Sequence, residues 1–415
     1  MAMDEKTPQK SPFLFGLPRN VIGMGAVSFL NDLSSDMIYP FIPAFLIGVL
    51  GATPAFVGLV EGVADATASI LRLVSGALSD ALRRRKPIVV WGYAISAVSK
   101  PLLAFAVLPW HALGVRFLDR VGKGAREAPR DALISSSVTR ERAGRAFGFH
   151  RGADTLGAAL GPLVAFLVLP LIGHNIRTLF LLSFVASVAA IIILVLVVRE
   201  IKPPAVVPAA VRPHIRIRVA AHPSFFIFLT AATIFSLGRA SDVFILLRAQ
   251  SLGFALMVLP LLYAAYNIAG ALLATPAGVL SDRLGHRATY MVGMGVFAVS
   301  YVLFGLARTA WVLWPLVLFY GCSAALTDGV GRAIVARLVD EEERGSAYGI
   351  YGACTGIAAL PASFFFGFLW QNYGPAVPFY TGASLAVLAY LIFLILRFEK
   401  RRRMRGTFLS APAEA

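Results

Sequence analysis

The chain has 415 residues, of which 58% are hydrophobic and only 14% charged, against roughly a quarter charged in an ordinary soluble domain. Apolar stretches approaching the ~20 residues needed to cross a bilayer as a helix recur along almost its whole length, which excludes a soluble enzyme. The net charge of +16 would in isolation suggest nucleic acid, but the basic residues fall in alternate connecting segments, the pattern of membrane topology.

In chain order, the apolar segments predict helices at 20–48, 55–80, 87–108, 112–135, 145–169, 176–198, 224–249, 256–282, 288–307, 311–337, 345–370 and 376–398. One set of connections is basic. It holds Lys6, Lys10 and Arg19, then Arg83, Arg84, Arg85 and Lys86, then Arg140, Arg142 and Arg145. It continues with Arg199, Lys202, Arg212, Arg216 and Arg218, then Arg283 and Arg287, Arg344, and the tail of Lys400, Arg401, Arg402, Arg403 and Arg405. The opposite set offers only Arg177 and Arg308. The positive-inside rule then places both termini in the cytoplasm, which requires an even number of spans and favours twelve. The N-terminus, with Asp4 and Glu5 before Lys6, does not read as a removable signal peptide. Cys322 and Cys354 are the only cysteines and lie in apolar segments, so they read as small packing residues.

The sequence also repeats itself. GALSDALRRRK at 76–86 recurs as GVLSDRLGHRA at 278–288, an offset of 202 residues, and RAFGFHRGADTLGAALGP at 145–162 aligns with SAYGIYGACTGIAALPAS at 346–363. The expected fold class is therefore an all-α polytopic membrane protein of twelve transmembrane helices in two pseudo-symmetric six-helix bundles. Its parts are a cytoplasmic tail at 1–19, a first bundle at 20–198, a cytoplasmic linker at 199–223, a second bundle at 224–398 and a basic tail at 399–415.

With the GxLSD signature after the second helix of each half, the chain resembles the major facilitator superfamily over essentially its whole length. Gly278, Asp282, Arg283, Gly285 and Arg287 are similar to that superfamily's loop motif. The first copy keeps Gly76, Asp80 and the basic cluster but has Ala81 where the family usually has arginine. An aspartate at a helix end beside arginines can form charge-assisted bonds that latch one conformation and break in another. Asp80, Asp282, Arg283 and Arg287 are the candidates for such a latch. Gly148, Gly157, Gly161 and Pro162, spaced glycine, eight residues, glycine, three residues, glycine-proline, resemble the fifth-helix motif of the superfamily's proton-coupled drug and metabolite antiporters. Ala165 and Phe166 stand where that pattern ends in glycines. Small residues at 157 and 161 share one face and admit a neighbouring helix, and Pro162 permits a bend.

Ionisable groups inside membrane spans are costly and mark functional candidates. The first half offers the acids Asp32, Asp36, Glu61, Asp65, Asp119, Glu127, Asp131 and Asp154 and the bases Arg72, Lys100, Arg116, Arg120, Lys123, Arg126, Arg130 and Arg151. On the fourth helix, Arg116, Arg120, Lys123, Glu127 and Arg130 follow three- and four-residue steps and form one stripe, overlapped by Asp119, Lys123, Arg126 and Arg130. The stripe is either an ion-pair lattice or a substrate and proton path, and both roles are compatible. Burial raises a carboxylate's pKa and a nearby arginine lowers it. Asp36, beside the Phe41-Ile42-Pro43 bend, and Asp154 are the leading proton carriers, with Asp32 and Glu61 behind them and Arg116 as tuning partner. His150, one turn before Asp154, is a weak candidate for a metal pair or a proton relay. The second half holds the sparser set Arg239, Asp242, Arg248, Asn267, Asp328 and Arg332.

The expected function is proton-coupled export of a small polar or charged organic compound by a secondary transporter of the inner membrane. The proton is the coupling ion, no cofactor is expected, and no enzymatic nucleophile elbow, HExxH or paired cysteine site appears. The expected partners are a small-molecule substrate and the lipid bilayer, with no nucleic acid, and the chain is expected to act as a monomer. A metal or metal-chelate carrier, a proton symporter for uptake, and a lipid-moving protein or receptor on a transporter scaffold are the alternatives.

Overall fold

Twelve membrane-length helical spans make up a computed structural model that describes residues 16–82, 84–201, 223–340 and 343–407. Among the described residues there is no strand. The first span is α1 (Arg19–Ile38), which leaves α-helical geometry at Tyr39–Phe41, resumes for one turn and ends in a π-type turn at Phe45–Val49. Pro40 and Pro43 explain the change, since each lacks the N–H the α-ladder needs. Then come α2 (Pro54–Leu82), α3 (Lys86–Ala104), α4 (Pro109–Ser136), α5 (Arg140–Leu171) and α6 (Ile176–Val197). Prolines at the first turns of α3 and α4 and the Asn175 side chain, accepting from Arg177 N at 3.0 Å and Thr178 N at 3.2 Å, start their helices.

The second half begins with α7 (Pro223–Gly238), which breaks at 239–242 and resumes as Val243–Ser251. It continues with α8 (Val258–Leu284), α9 (His286–Leu306), α10 (Leu313–Leu338), α11 (Arg344–Tyr373) and α12 (Val377–Thr407). Gly285, at φ +89°, makes the one-residue turn between α8 and α9. The sequence placed the spans to within about five residues, apart from α12, which runs on to Thr407. It missed the break in α7. Most of the linker at 202–222 and the side chains of the basic tail lie outside the described residues.

Among the described residues, nine of the spans are long and apolar enough to cross a membrane by length and composition alone. The other three are α1, α2 and α4, and these carry most of the buried charge. A helix with that much polarity cannot face lipid, so it is driven inward, and its charged face becomes the wall of an internal space. Within the first bundle α1 packs on α5 and α6, and α4 packs on α2 and α3; within the second, α10 packs on α8 and α9, and α12 on α7 and α9.

The bundles meet mainly through α2 against α11 and α5 against α8. Gly58 and Gly62 lie against the backbone of Ser363 and Leu360, and Gly367 lies against Pro54. Here any side chain would collide with backbone, so small residues let the helices touch. These contacts sit toward the end opposite the termini. There a single hydrophobic core runs through both bundles, from Phe41, Phe45 and Val57 to Phe244, Phe366 and Phe379. Toward the termini the first bundle has a core of its own around Met24, Tyr93 and Leu133. At this end Gly148, Gly152, Gly278 and Gly345 have no neighbour within 4 Å of where a Cβ would be. The tightest backbone contacts between the bundles thus lie toward the far end, and nearer the termini a Cβ on Gly349 would still lie 3.5 Å from Leu73.

Candidate functional site

A cavity of about 400 Å³ lies between the bundles, within the ~300–1,000 Å³ range of small-molecule sites. Its wall starts with α1, where Asn31, Asp32, Ser35, Asp36 and Tyr39 follow helical spacing onto one face. Asp65 comes from α2, and Arg116, Asp119, Arg120, Lys123 and Arg126 come from α4. The second bundle contributes Ser236, Arg239, Ala240, Ser241 and Asp242 at the α7 break, Tyr263 from α8, and Thr355, Ala359 and Ser363 from α11. Five carboxylates and five basic groups therefore face one space.

The break in α7 sits opposite the irregular stretch of α1. Tyr39 and Ser241 are 202 positions apart, which is the repeat offset, and their hydroxyls lie 3.2 Å from each other. Repeat-related helices interrupted at the same depth free backbone and side chains to line a central site, a recurrent device of transporters. The sequence signal was present in Gly238 followed by Ser241 and Asp242, a helix stop followed by capping residue types.

The charges divide into two populations. Those of the rim are paired. Glu61 is only 1% exposed and accepts from Arg116 Nη2 at 2.7 Å and Nε at 3.1 Å. Its other oxygen accepts from Ser241 of the opposite bundle at 3.4 Å. Arg116 also lies 3.6 Å from Asp119. Arg72 pairs with Glu127, Arg130 with Asp131 at 3.0 Å, and Arg239 with Asp328 at 2.7 Å. Arg126 turns into its own bundle, donating to Ser96 Oγ at 2.6 Å with its guanidinium 4.3 Å from the Tyr93 ring centroid.

The groups at the centre lack such partners. Arg120 and Lys123 have no hydrogen bond or ion pair among the described residues, and Arg120 Nε is buried without an acceptor. Asp65 likewise has neither. Among the described residues, Asp32 accepts only from the Asn31 amide at 3.0 Å, and Asp36 only from Tyr263 OH, across the bundle boundary, at 3.3 Å. On the second-bundle wall, Tyr320 OH donates to Asp242 at 2.9 Å. Behind the first-bundle wall, Lys100 is buried with no carboxylate in contact; it donates to Ser187 Oγ at 2.7 Å and Ser34 Oγ at 2.9 Å.

Several sequence candidates fall elsewhere. Glu127, Arg130 and Asp131 continue α4 beyond the cavity, because the helix carries them past the space that residues 116–126 line. Asp154, a leading carrier by sequence, accepts from Ser28 and lies 3.9 Å from the exposed Arg151; it is outside the cavity wall. His150 is buried with Nε2 unpartnered, but no group of three or more possible metal ligands is found among the described residues. Asn267 donates to the Ala158 carbonyl at 3.4 Å, linking α8 to α5. Asp328 lies outside the cavity and Arg332 is exposed. Arg248 caps the end of α9 by donating to the carbonyls of Phe304, Gly305 and Ala307.

Of the fifth-helix glycines, Gly157 and Gly161 press against the α1 backbone at Phe29 and Leu33, whereas Gly148 meets nothing. Of the latch candidates, Asp282 and Arg283 are exposed without an ion pair among the described residues. Arg287 is half-buried, and the Asp80 side chain lies outside the described residues. Sequence reasoning missed the hydroxyls Tyr39, Ser241, Tyr263 and Ser363, which carry no charge to betray them.

Two six-helix bundles, matching helix breaks and a central charged cavity define a membrane transporter fold. The chain belongs to the Major Facilitator Superfamily, whose family model matches residues 24–273 and 225–410. It is 33% identical over 387 residues to an uncharacterised MFS-type transporter of Methanocaldococcus jannaschii, covering 92% of this chain and 95% of the relative. It is 24% identical to the multidrug resistance protein MdtH of Salmonella arizonae, covering 91% and 93%. The solved structure of the nucleoside transporter NupG shares the fold with a TM-score of 0.74 at 14% identity, covering 91% of this chain and 99% of that one.

Proposed function

We propose that this protein is a proton-coupled secondary transporter that exports a small polar or charged organic compound across the cytoplasmic membrane by alternating access. The observation that carries this reading is the set of central groups, Asp32, Asp36, Asp65, Arg120 and Lys123, that face the cavity without ion-pair partners at contact distance among the described residues. A fully paired lattice would have no capacity to exchange a proton or hold cargo; a half-paired one has both. Asp36 is the principal proton carrier, because its one hydrogen bond comes from the other bundle. Rocking of the bundles therefore changes its surroundings directly.

Similarity to a multidrug resistance protein supports export. Both termini are cytoplasmic in this reading. The domain division follows the two bundles, joined by the basic segment at 199–223. The test is uptake and efflux of a compound panel in proteoliposomes with and without an imposed pH gradient. Transport that rises with the gradient and collapses with a protonophore is expected; transport indifferent to it would overturn the coupling.

A further inference from the structure

The cavity is polarised. On the α4 wall, Arg120 and Lys123 stand one helical turn apart and present a guanidinium and an ammonium with no carboxylate within ion-pair distance among the described residues. On the α1 wall, Asp32 and Asp36, also one turn apart, present carboxylates that accept only neutral donors. Beside Asp36 the Tyr39 and Tyr263 rings lie 5.0 Å apart, and Asp242 adds a third carboxylate to that side. Tyrosine faces beside carboxylates suit an organic cation, because the ring quadrupole adds to the attraction of the acids. A guanidinium with an open fork suits a carboxylate or another anionic oxygen group.

We propose that the cargo is an organic zwitterion, held with its anionic group on Arg120 and Lys123 and its ammonium between Asp36, Asp32 and the Tyr39–Tyr263 pair. This deepens the transport reading and rests on it. Asp65 and Asp119 also face the cavity, which holds five acids and five bases, so a cargo with one net charge upsets that balance when the cavity closes. A zwitterion satisfies both walls and brings no net charge, so occlusion adds none to the membrane interior. The paired groups of the rim, Arg116–Glu61 and Arg239–Asp328, stay out of the contact and keep the cavity's shape.

The experiment uses the full-length protein in detergent and follows its thermal unfolding against three matched sets of probes. These are the common α-amino acids, their carboxamides, which lose the anionic end, and their N-acetyl derivatives, which lose the cationic end. At least one amino acid is expected to stabilise the protein, with its amide and its N-acetyl form each binding at least about tenfold more weakly, since each loses a charge-assisted contact. In Arg120→Gln the amide should bind as well as its parent, and in Asp36→Asn the N-acetyl form should. The unliganded melting curve of each variant shows whether it is folded. An amide or N-acetyl form that binds wild type as well as its parent overturns the proposal. So does stabilisation by none of the amino acids. No gradient is present in this assay, so its failure is separate from failure of proton coupling, and transport of a compound bearing one charge would leave the transport reading standing.

Discussion

The two bundles share a fold and a sequence repeat but divide the chemistry unequally. The first places acids and bases along α1, α2 and α4 until those helices are too polar to face lipid. The second keeps a far more apolar interior, packed with Phe297, Tyr301, Phe304, Tyr320 and Phe379. Its polar contribution at the junction consists largely of hydroxyls. Ser241 donates to Glu61 and Tyr263 to Asp36, so two carboxylates of one bundle are read by neutral donors of the other. Such bonds are weak enough to break in a conformational cycle, yet their loss alters what each carboxylate meets. The asymmetry separates a bundle that holds charge from one that reports its position.

The largest expected effect breaks that division at its centre. Asp36→Asn should abolish gradient-driven transport while leaving the protein expressed and folded, because Asn keeps the shape and can still bond Tyr263. Asp154→Asn, outside the cavity and already hydrogen-bonded to Ser28, should retain transport within a few-fold of wild type. Rates measured side by side in proteoliposomes check the contrast, and equal losses would erase the distinction between cavity and periphery.

The next test compares the ion pairs that flank the junction. Glu61→Gln leaves Arg116 buried beside a neutral partner and should lower stability by about 3–5 kcal/mol, the usual cost of breaking a buried pair. Arg239→Gln removes a pair whose acid is 60% exposed and should cost no more than about 1 kcal/mol. Thermal or denaturant unfolding of the two variants gives the difference, and similar values would show that burial does not distinguish the bundles.

A sharper view of their contact comes from glycines. Gly58→Val would drive a side chain into the Ser363 carbonyl and should prevent the bundles from closing at the far end. Gly278→Val meets open space and should be tolerated. Cysteine cross-linking between the far ends of α2 and α11 reads this directly; unchanged cross-linking in Gly58→Val would mean that the contact is not needed for closure. The smallest effect concerns the linker's root, where the Asn20 side chain bonds both the N–H and the carbonyl of Arg199 at 2.9 and 3.0 Å. Asn20→Ala should cost about 1–3 kcal/mol with transport retained, measured by unfolding and by vesicle flux.

Much of this was legible in the sequence, because lipid imposes a strong filter on composition. Span number, repeat offset and the inward face of α4 all follow from where charge is permitted. The candidate site was legible in half. Asp32, Asp36, Asp65, Arg116, Asp119, Arg120, Lys123 and Arg126 converge as their helical spacing implies. Asp154 and Arg332 were equally conspicuous by charge but lie outside the wall, since spacing along a helix does not say which part of its length meets the cavity. The junction hydroxyls were illegible for the opposite reason. Ser241 and Tyr263 carry no charge, and their roles arise only when repeat-related helices are brought face to face.

In the proposed cycle, cargo and protons pass through the same first-bundle carboxylates. This is tested most directly by trapping a pH-sensitive dye in proteoliposomes and recording proton flux when a transported compound is added to one side with no imposed pH gradient. Wild type should move protons opposite to the compound, and Asp36→Asn should move none while still exchanging compound for compound once the compound is raised about tenfold or more to offset its weaker binding. Undiminished proton flux in Asp36→Asn, or full compound flux in wild type with no proton movement, would contradict the account.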